Sequence, residues 1–265
     1  MNLSDPALEQ LLAVLQNIAS GNYSDDIMRL TGEETPEPVR TLAEAIGMMM
    51  VKIEAREYHL SLLVEELKQL NARIRSNSLK TISAMAQALE ARDPYTRGHT
   101  ERVACLAAAV ARQMGLPEDR VESVRIGGVL HDIGKIGFSD RLFQSHESKN
   151  PPEWVREITR HPAIGNEILK DLDFLGESLE FIHAHHERPD GKGYPRRLKN
   201  EEVPLGARIL AVTDGYDAMT TDRPYQKGMT RQGALQILWK NAGTKYDPDC
   251  VRALEAVLPD FPPAP

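Results

Sequence analysis

Cysteine is nearly absent. Cys105 and Cys250 are the only two in 265 residues, too few for a disulfide framework, and they imply a reducing, cytoplasmic compartment. Aromatic residues make up 5% of the chain, which argues against an all-β sandwich built on Tyr and Trp. No apolar run approaches the roughly 20 residues that a membrane-spanning helix needs. The residues after Met1 also lack the basic-then-apolar pattern of a secretory leader. Excess positive charge is missing too. A formal net charge of -7 disfavours DNA and generic nucleic-acid binding, whose phosphates need a field of the opposite sign. An anionic substrate therefore has to be met by a local basic cluster. What is present is the balance of a folded chain, 41% hydrophobic and 27% charged, with room for one large domain or a smaller domain plus a helical arm.

The first ninety or so residues read as helix with one interruption. Leu8, Leu11, Leu15 and Ile18 form one apolar stripe, which Gly21 ends. The stretch from Asn22 to Pro38 is polar and turn-prone. A second stripe follows at Leu42, Ile46, Met49, Ile53, Leu60, Leu63, Leu67, Leu70 and Ile74, in one heptad register broken only by Arg56. So narrow a stripe, repeating every 3.5 residues, suits another helix better than a globular core. It predicts a dimeric coiled coil; the competing reading is a long amphipathic helix lying on its own catalytic domain. Two amphipathic helices joined by an irregular connector resemble a HAMP unit, with Ile18-Ala19-Ser20-Gly21-Asn22-Tyr23-Ser24 similar to the end of its first helix. Such a unit usually follows a membrane helix, which this chain lacks, leaving a soluble relay or a plain coiled coil. The expected division is a helical dimerisation and signal-relay segment over 1–76 and a second domain over 77–265.

Beyond Asn77 the chain alternates helical stretches, among them Val103 to Met114, Pro152 to Arg160, Ala163 to Leu172 and Leu205 to Thr221. β alternation is essentially absent, so the expected class is all-α. The segment Glu187 to Val203 is crowded with Gly, Pro and charge and is the one long loop, the kind that is usually functional. Seven of the eight histidines lie between His99 and His186. His131-Asp132 closes the apolar run Ile126 to Leu130, His185-His186 sits on a helix before the loop, and His99 and His161 each begin a helix. Asp214 falls in the apolar stretch after Val212, where burying a carboxylate is expensive without a compensating charge. Five imidazoles and two carboxylates are too many ligands for one divalent ion and about right for two ions sharing Asp132. Mixed nitrogen and oxygen donors favour iron or manganese over a structural zinc. His59, His146 and His183 are read as structural or surface residues.

The order His99, His131-Asp132, Lys135, His161, His185-His186, Asp214 resembles the HD superfamily of metal-dependent phosphohydrolases. The run His185-His186-Glu187-Arg188-Pro189-Asp190-Gly191-Lys192-Gly193-Tyr194-Pro195 is similar to the signature of its HD-GYP branch. The stretch Ala211 to Thr220, continuing to Arg223-Pro224-Tyr225, is similar to that branch as well. The resemblance covers about residues 77 to 258. It implies an HD-type helical bundle around a dinuclear metal centre that degrades cyclic di-GMP through pGpG to GMP. By the same resemblance His99, His131, Asp132 and Asp214 would hold one ion, and Asp132, His161, His185 and His186 the other. A bridging hydroxide would then attack phosphorus. Lys135 would offset phosphate charge or protonate the leaving oxygen. Arg188, Lys192, Tyr194, Arg223 and Lys227 would meet the substrate.

Two positions depart from the family pattern. Tyr95 stands where many active members carry a glutamate for a third metal, so a dinuclear centre is expected. Gln226 stands where a basic residue often grips the second phosphate; Lys227 is its expected substitute. The other readings are hydrolysis of cyclic GMP-AMP or linear pGpG, a non-catalytic nucleotide-sensing module, and a di-iron oxygenase. Expected partners are a second copy through the N-terminal helices and an upstream sensor or diguanylate cyclase.

Overall fold

The computed structural model describes residues 6–21, 25–92, 98–140, 142, 151–222 and 227–261. The chain divides into two units, Met1–Ile74 and Arg75–Pro265. Ten α-helices and several 3-10 turns account for the order among the described residues, with two isolated β-bridges and no strand. Among the described residues no helix is long and apolar enough to cross a membrane.

In the first unit α1 (Pro6–Ala19) turns Leu11 and Val14 inward against Ile27 and Leu30 of a 3-10 segment, Asp25–Thr31. The start of α2 (Glu37–Glu90) completes this small core with Val39, Ala43 and Met50, and Ile46 packs on its edge. Each such apolar side chain contributes about 1.5–3 kcal/mol when taken out of water. The buried face of α2 is therefore rotated from the heptad stripe. Leu42, Met49 and the run Leu60, Leu63, Leu67, Leu70 and Ile74 stay exposed.

The second unit is built around α3 (His99–Gln113), α4 (Glu118–Leu130), α8 (Leu205–Thr220) and α10 (Pro248–Val257). Alanines on α3 let neighbouring helices approach closely, and Val103, Ala107, Val124, Leu210, Leu238 and Leu254 fill the space between them. A second apolar cluster seats the rest. Ala86 of α2 packs with Ile126, Leu130 and Ile133, with Leu169 of α6 (His161–Leu169) and with Ile182 of α7 (Glu177–Ala184). The short α5 (Pro152–Ile158) precedes α6, and α9 (Arg231–Lys240) precedes α10. One contact fixes how the 3-10 turn Ile133–Gly137 meets α6. A Cβ on Gly134 would lie 1.9 Å from the His161 carbonyl oxygen, so only glycine fits there.

Candidate metal centre

Helix ends deliver most of the predicted ligands. His99 and His161 are the first residues of α3 and α6. His131 and Asp132 follow the last residue of α4, and His185 and His186 follow the last residue of α7, at its C-terminal end rather than within it. Asp214 lies in the middle of α8. Three of the imidazoles share one local device. The Nδ1 of His131, His161 and His185 donates to the carbonyl three residues earlier, Gly128 at 2.8 Å, Ile158 at 2.7 Å and Ile182 at 2.6 Å. That bond places the proton on Nδ1 and leaves Nε2 as a lone pair pointing inward.

The inward lone pairs face one another. His161 Nε2 and His185 Nε2 stand 3.2 Å apart, and His131 Nε2 is buried with no hydrogen-bond partner. Two groups emerge, His161 with His185 and His186, and His99 with His131 and Asp214; within each, the ligand atoms all lie within 4.8 Å of one another. Asp132 stands between them. Its Oδ1 is 3.4 Å from His161 Nε2, and its Oδ2 is 3.3 Å from His131 Nε2 and 4.0 Å from His99 Nε2. Opposed acceptor lone pairs around shared carboxylates suit cations, and the nitrogen and oxygen donors with no sulfur suit a divalent transition metal. The residues fit the group.

Electrostatics agree with this. Burial, reinforced by the neighbouring imidazoles, pushes His185 well below the usual histidine range and His186 down to about 3, so both are neutral and available as ligands. His161 is lowered chiefly by burial. Burial opposes ionisation of Asp132, yet His131 and Lys135 outweigh it and hold the carboxyl well below its usual range. Asp214 is likewise held down against burial by His99. Burial lowers His99, but hydrogen bonds to Asp214 and Asp217 win and raise it to about 10. His131 is raised against burial by Asp132. A proton on the His99 imidazole balances the carboxylates in the bare side-chain cluster; a bound cation would take its place, because metal binding displaces protons.

Two residues that the sequence reading passed over organise the site. Asp217, one turn beyond Asp214, accepts from His99 Nδ1 at 2.7 Å and is itself gripped by Arg102 through Nε at 2.7 Å and Nη2 at 2.9 Å. Glu187 is buried, and its carboxylate accepts backbone N–H groups of Arg196 at 2.5 Å and of Arg197 and Leu198 at 3.0 Å each. These bonds fold the long loop back on itself and carry Tyr194 over the centre, its ring 4.8 Å from that of His186. Gly193 permits the fold, since a Cβ there would meet the Glu187 Cα at 2.5 Å. Asp217 was findable as an acid spaced three residues from Asp214 on the same helical face. Glu187 carried no signal beyond its place in the motif.

A cleft of about 650 Å³ opens beside the centre, with His185, His186, Asp214 and Tyr194 on its wall and Lys192, Lys227, Asn241 and Lys245 also lining it. The basic cluster differs from expectation. Arg188 lines the cleft but is paired with Asp190, its Nε donating at 2.9 Å, and Arg196 reaches Glu180 at 2.8 Å. Among the described residues Lys192, Lys227 and Lys245 make no ion pair, and Lys245 was not foreseen. Lys135 pairs with Asp132 beside the ligands. Burial, with Asp132 and Asp214 nearby, pushes the Tyr194 phenol up, so it stays a donor. His59 is exposed on α2 and His183 lies on α7. Arg223, Gln226, Tyr95 and His146 lie outside the described residues.

Comparison with known proteins bears on the same region. Residues 83–250 match the family model of the HD domain, a fold that binds divalent metals. The cyclic di-GMP phosphodiesterase response regulator RpfG of Xanthomonas campestris is 35% identical over 218 residues, 82% of this chain and 55% of that protein. The 3'3'-cGAMP-specific phosphodiesterase 3 of Vibrio cholerae is 36% identical over 178 residues, 67% of this chain and 38% of that one. A cyclic di-GMP phosphodiesterase of Thermotoga maritima is 39% identical over 166 residues, 62% of this chain and 45% of its own length. The chain therefore spans between 38% and 55% of these relatives. The crystal structure of a cyclic GMP-AMP-specific phosphodiesterase from Vibrio cholerae superposes with a TM-score of 0.56 at 19% identity, covering 69% of this chain and 49% of that one, a likeness of fold.

Proposed function

Since the chain belongs to the HD-domain family and carries the signature of its HD-GYP branch, we propose that it is a metal-dependent phosphodiesterase hydrolysing cyclic di-GMP through pGpG to GMP. The carrying observation is the Asp132 carboxylate between two groups of ligand atoms, with members of both groups lining one cleft. His99, His131, Asp132 and Asp214 hold one ion in this reading, and Asp132, His161, His185 and His186 the other; iron or manganese suits the donors. A bound pair of such ions supplies a water of lowered pKa and offsets charge on the phosphate. The chain's own residues do the rest. Lys192 and Lys227 draw the second phosphate into the cleft and the Tyr194 hydroxyl donates a hydrogen bond to a phosphate oxygen; Arg223 joins them in this reading. Lys135, beside Asp132, delivers a proton to the 3′ oxygen as its bond to phosphorus breaks.

A second reading, cleavage of 3'3'-cGAMP, is favoured by the Vibrio cholerae relative named for that substrate. In both readings residues 1–76 form a HAMP-like coiled-coil segment that dimerises the cytoplasmic enzyme and relays a signal to residues 77–265 from an upstream sensor or diguanylate cyclase partner. The test is chromatography of both cyclic dinucleotides after incubation with manganese- or iron-loaded protein. Disappearance of cyclic di-GMP with pGpG and then GMP is expected, and Asp132→Ala should lose metal loading and turnover together. Metal-loaded protein inert toward both dinucleotides would leave a nucleotide-sensing module instead.

A further inference from the structure

We propose that Glu90, the last residue of α2, is the positioning residue for His99 and so ties the long helix to one half of the metal site. The inference rests on the reading of His99 as a ligand. The Glu90 carboxylate spans the start of α3, its Oε1 accepting from Thr100 N at 2.6 Å and its Oε2 from Gly98 N at 3.2 Å. It thereby holds the backbone on both sides of His99. The first N–H groups of a helix have no intrahelical partner, and negative charge is favoured at that end. Gly98, the cap, has no side chain to serve them.

His99 needs outside support for a specific reason. His131, His161 and His185 each anchor Nδ1 on a main-chain carbonyl three residues back. The Nδ1 of His99 goes instead to a side chain of a distant helix. Its ring is held by Asp217 of α8 at 2.7 Å, and its backbone by Glu90 of α2. The same end of α2 reaches the other ligand segment. Leu79, Ile82 and Ala86 pack with Leu130 and Ile133, which bracket His131-Asp132, and Arg92 pairs with Asp140 just beyond the 3-10 turn. Glu90 is the polar contact by which the end of α2 holds the start of α3 around His99.

The test uses the full chain stripped of metal and titrated calorimetrically with manganese(II), with the Tm of the stripped protein measured alongside. Glu90→Ala should weaken by about tenfold the binding step that His99→Ala abolishes and leave the other step unchanged, as loss of an outer support does. Glu90→Gln keeps an acceptor oxygen and should recover to within about threefold of the parent. Unchanged manganese binding in Glu90→Ala overturns the proposal. So does equal weakening of both steps in step with a fall in Tm, the result of a merely structural role. Parent protein that binds no manganese overturns the metal-centre reading itself, and is told apart by that control.

Discussion

At Asp217 one carboxylate serves two masters, the His99 Nδ1–H at 2.7 Å and the Arg102 guanidinium at 2.7 and 2.9 Å. Burial opposes its ionisation, but the bonds to His99 and then Arg102 lower its pKa on balance, and the His99 bond fixes which ring nitrogen faces the centre. Asp217→Ala should lower manganese(II) affinity by about 10- to 100-fold while far-UV circular dichroism stays unchanged. Arg102→Ala should cost less, because it loosens the carboxylate without removing it. Equal affinity in Asp217→Ala and the parent would show that the His99 ring needs no orienting partner. The clustering of the candidate ligands was legible because His-Asp and His-His fall at ends of apolar runs, where helix ends point side chains into a common space. Asp217 was marked only by its spacing from Asp214; its bond to His99 was not legible, because that partner lies 118 residues away and no local pattern links the two.

The loop from residue 187 to residue 203 was legible as functional, but what shapes it was not. Its Gly, Pro and charged residues announce irregular backbone; its organiser is a single buried acid whose bonds all go to main chain. Glu187→Ala strands the N–H groups of Arg196, Arg197 and Leu198 and should cost about 3 kcal/mol in urea unfolding. Glu187→Gln, which retains one acceptor oxygen, should cost less. A loss under 1 kcal/mol in Glu187→Ala would mean that the loop keeps its form by its turns alone. A second element shows a titration. Asp247 caps α10, accepting from Asp249 N at 2.8 Å and Cys250 N at 3.1 Å, and pairs with Arg208 at 2.7 Å. Burial raises its pKa, but Arg208 and the two backbone donors lower it on balance below the ordinary 3.8. A depressed folded-state pKa means stability present above that ordinary value and lost as pH falls through the folded one. Asp247→Ala should therefore unfold more readily than the parent by about 1 kcal/mol at pH 7, a gap that narrows below about pH 4. A gap that stayed constant down to pH 2.5 would assign the effect to packing rather than to the charge.

On the scale of the whole chain, the heptad stripe of α2 shows how far periodicity reaches. It gave the helix, yet the small core of the first unit uses Val39, Ala43 and Met50, a neighbouring face that α1 covers. Which face α1 takes depends on the connector between the two helices, and connector geometry is not written in hydrophobic spacing. What remains uncovered is informative. Leu60, Leu67, Leu70 and Ile74 are 59%, 64%, 53% and 56% exposed, and Leu63 lies on the same stripe at 40%. A soluble single chain rarely presents so continuous an apolar row, and an isolated helix draws little stability from propensity alone. A second copy laid along the stripe would bury the row in the a and d positions of a coiled coil. Leu63→Glu combined with Leu67→Glu places like charges at adjacent core layers of that pairing. The parent should sediment as a dimer and the double variant as a monomer with reduced helical ellipticity, since the unpaired part of α2 then frays. A double variant that sediments as the parent does would remove the coiled coil from the account and leave the stripe to be covered by something other than a second copy.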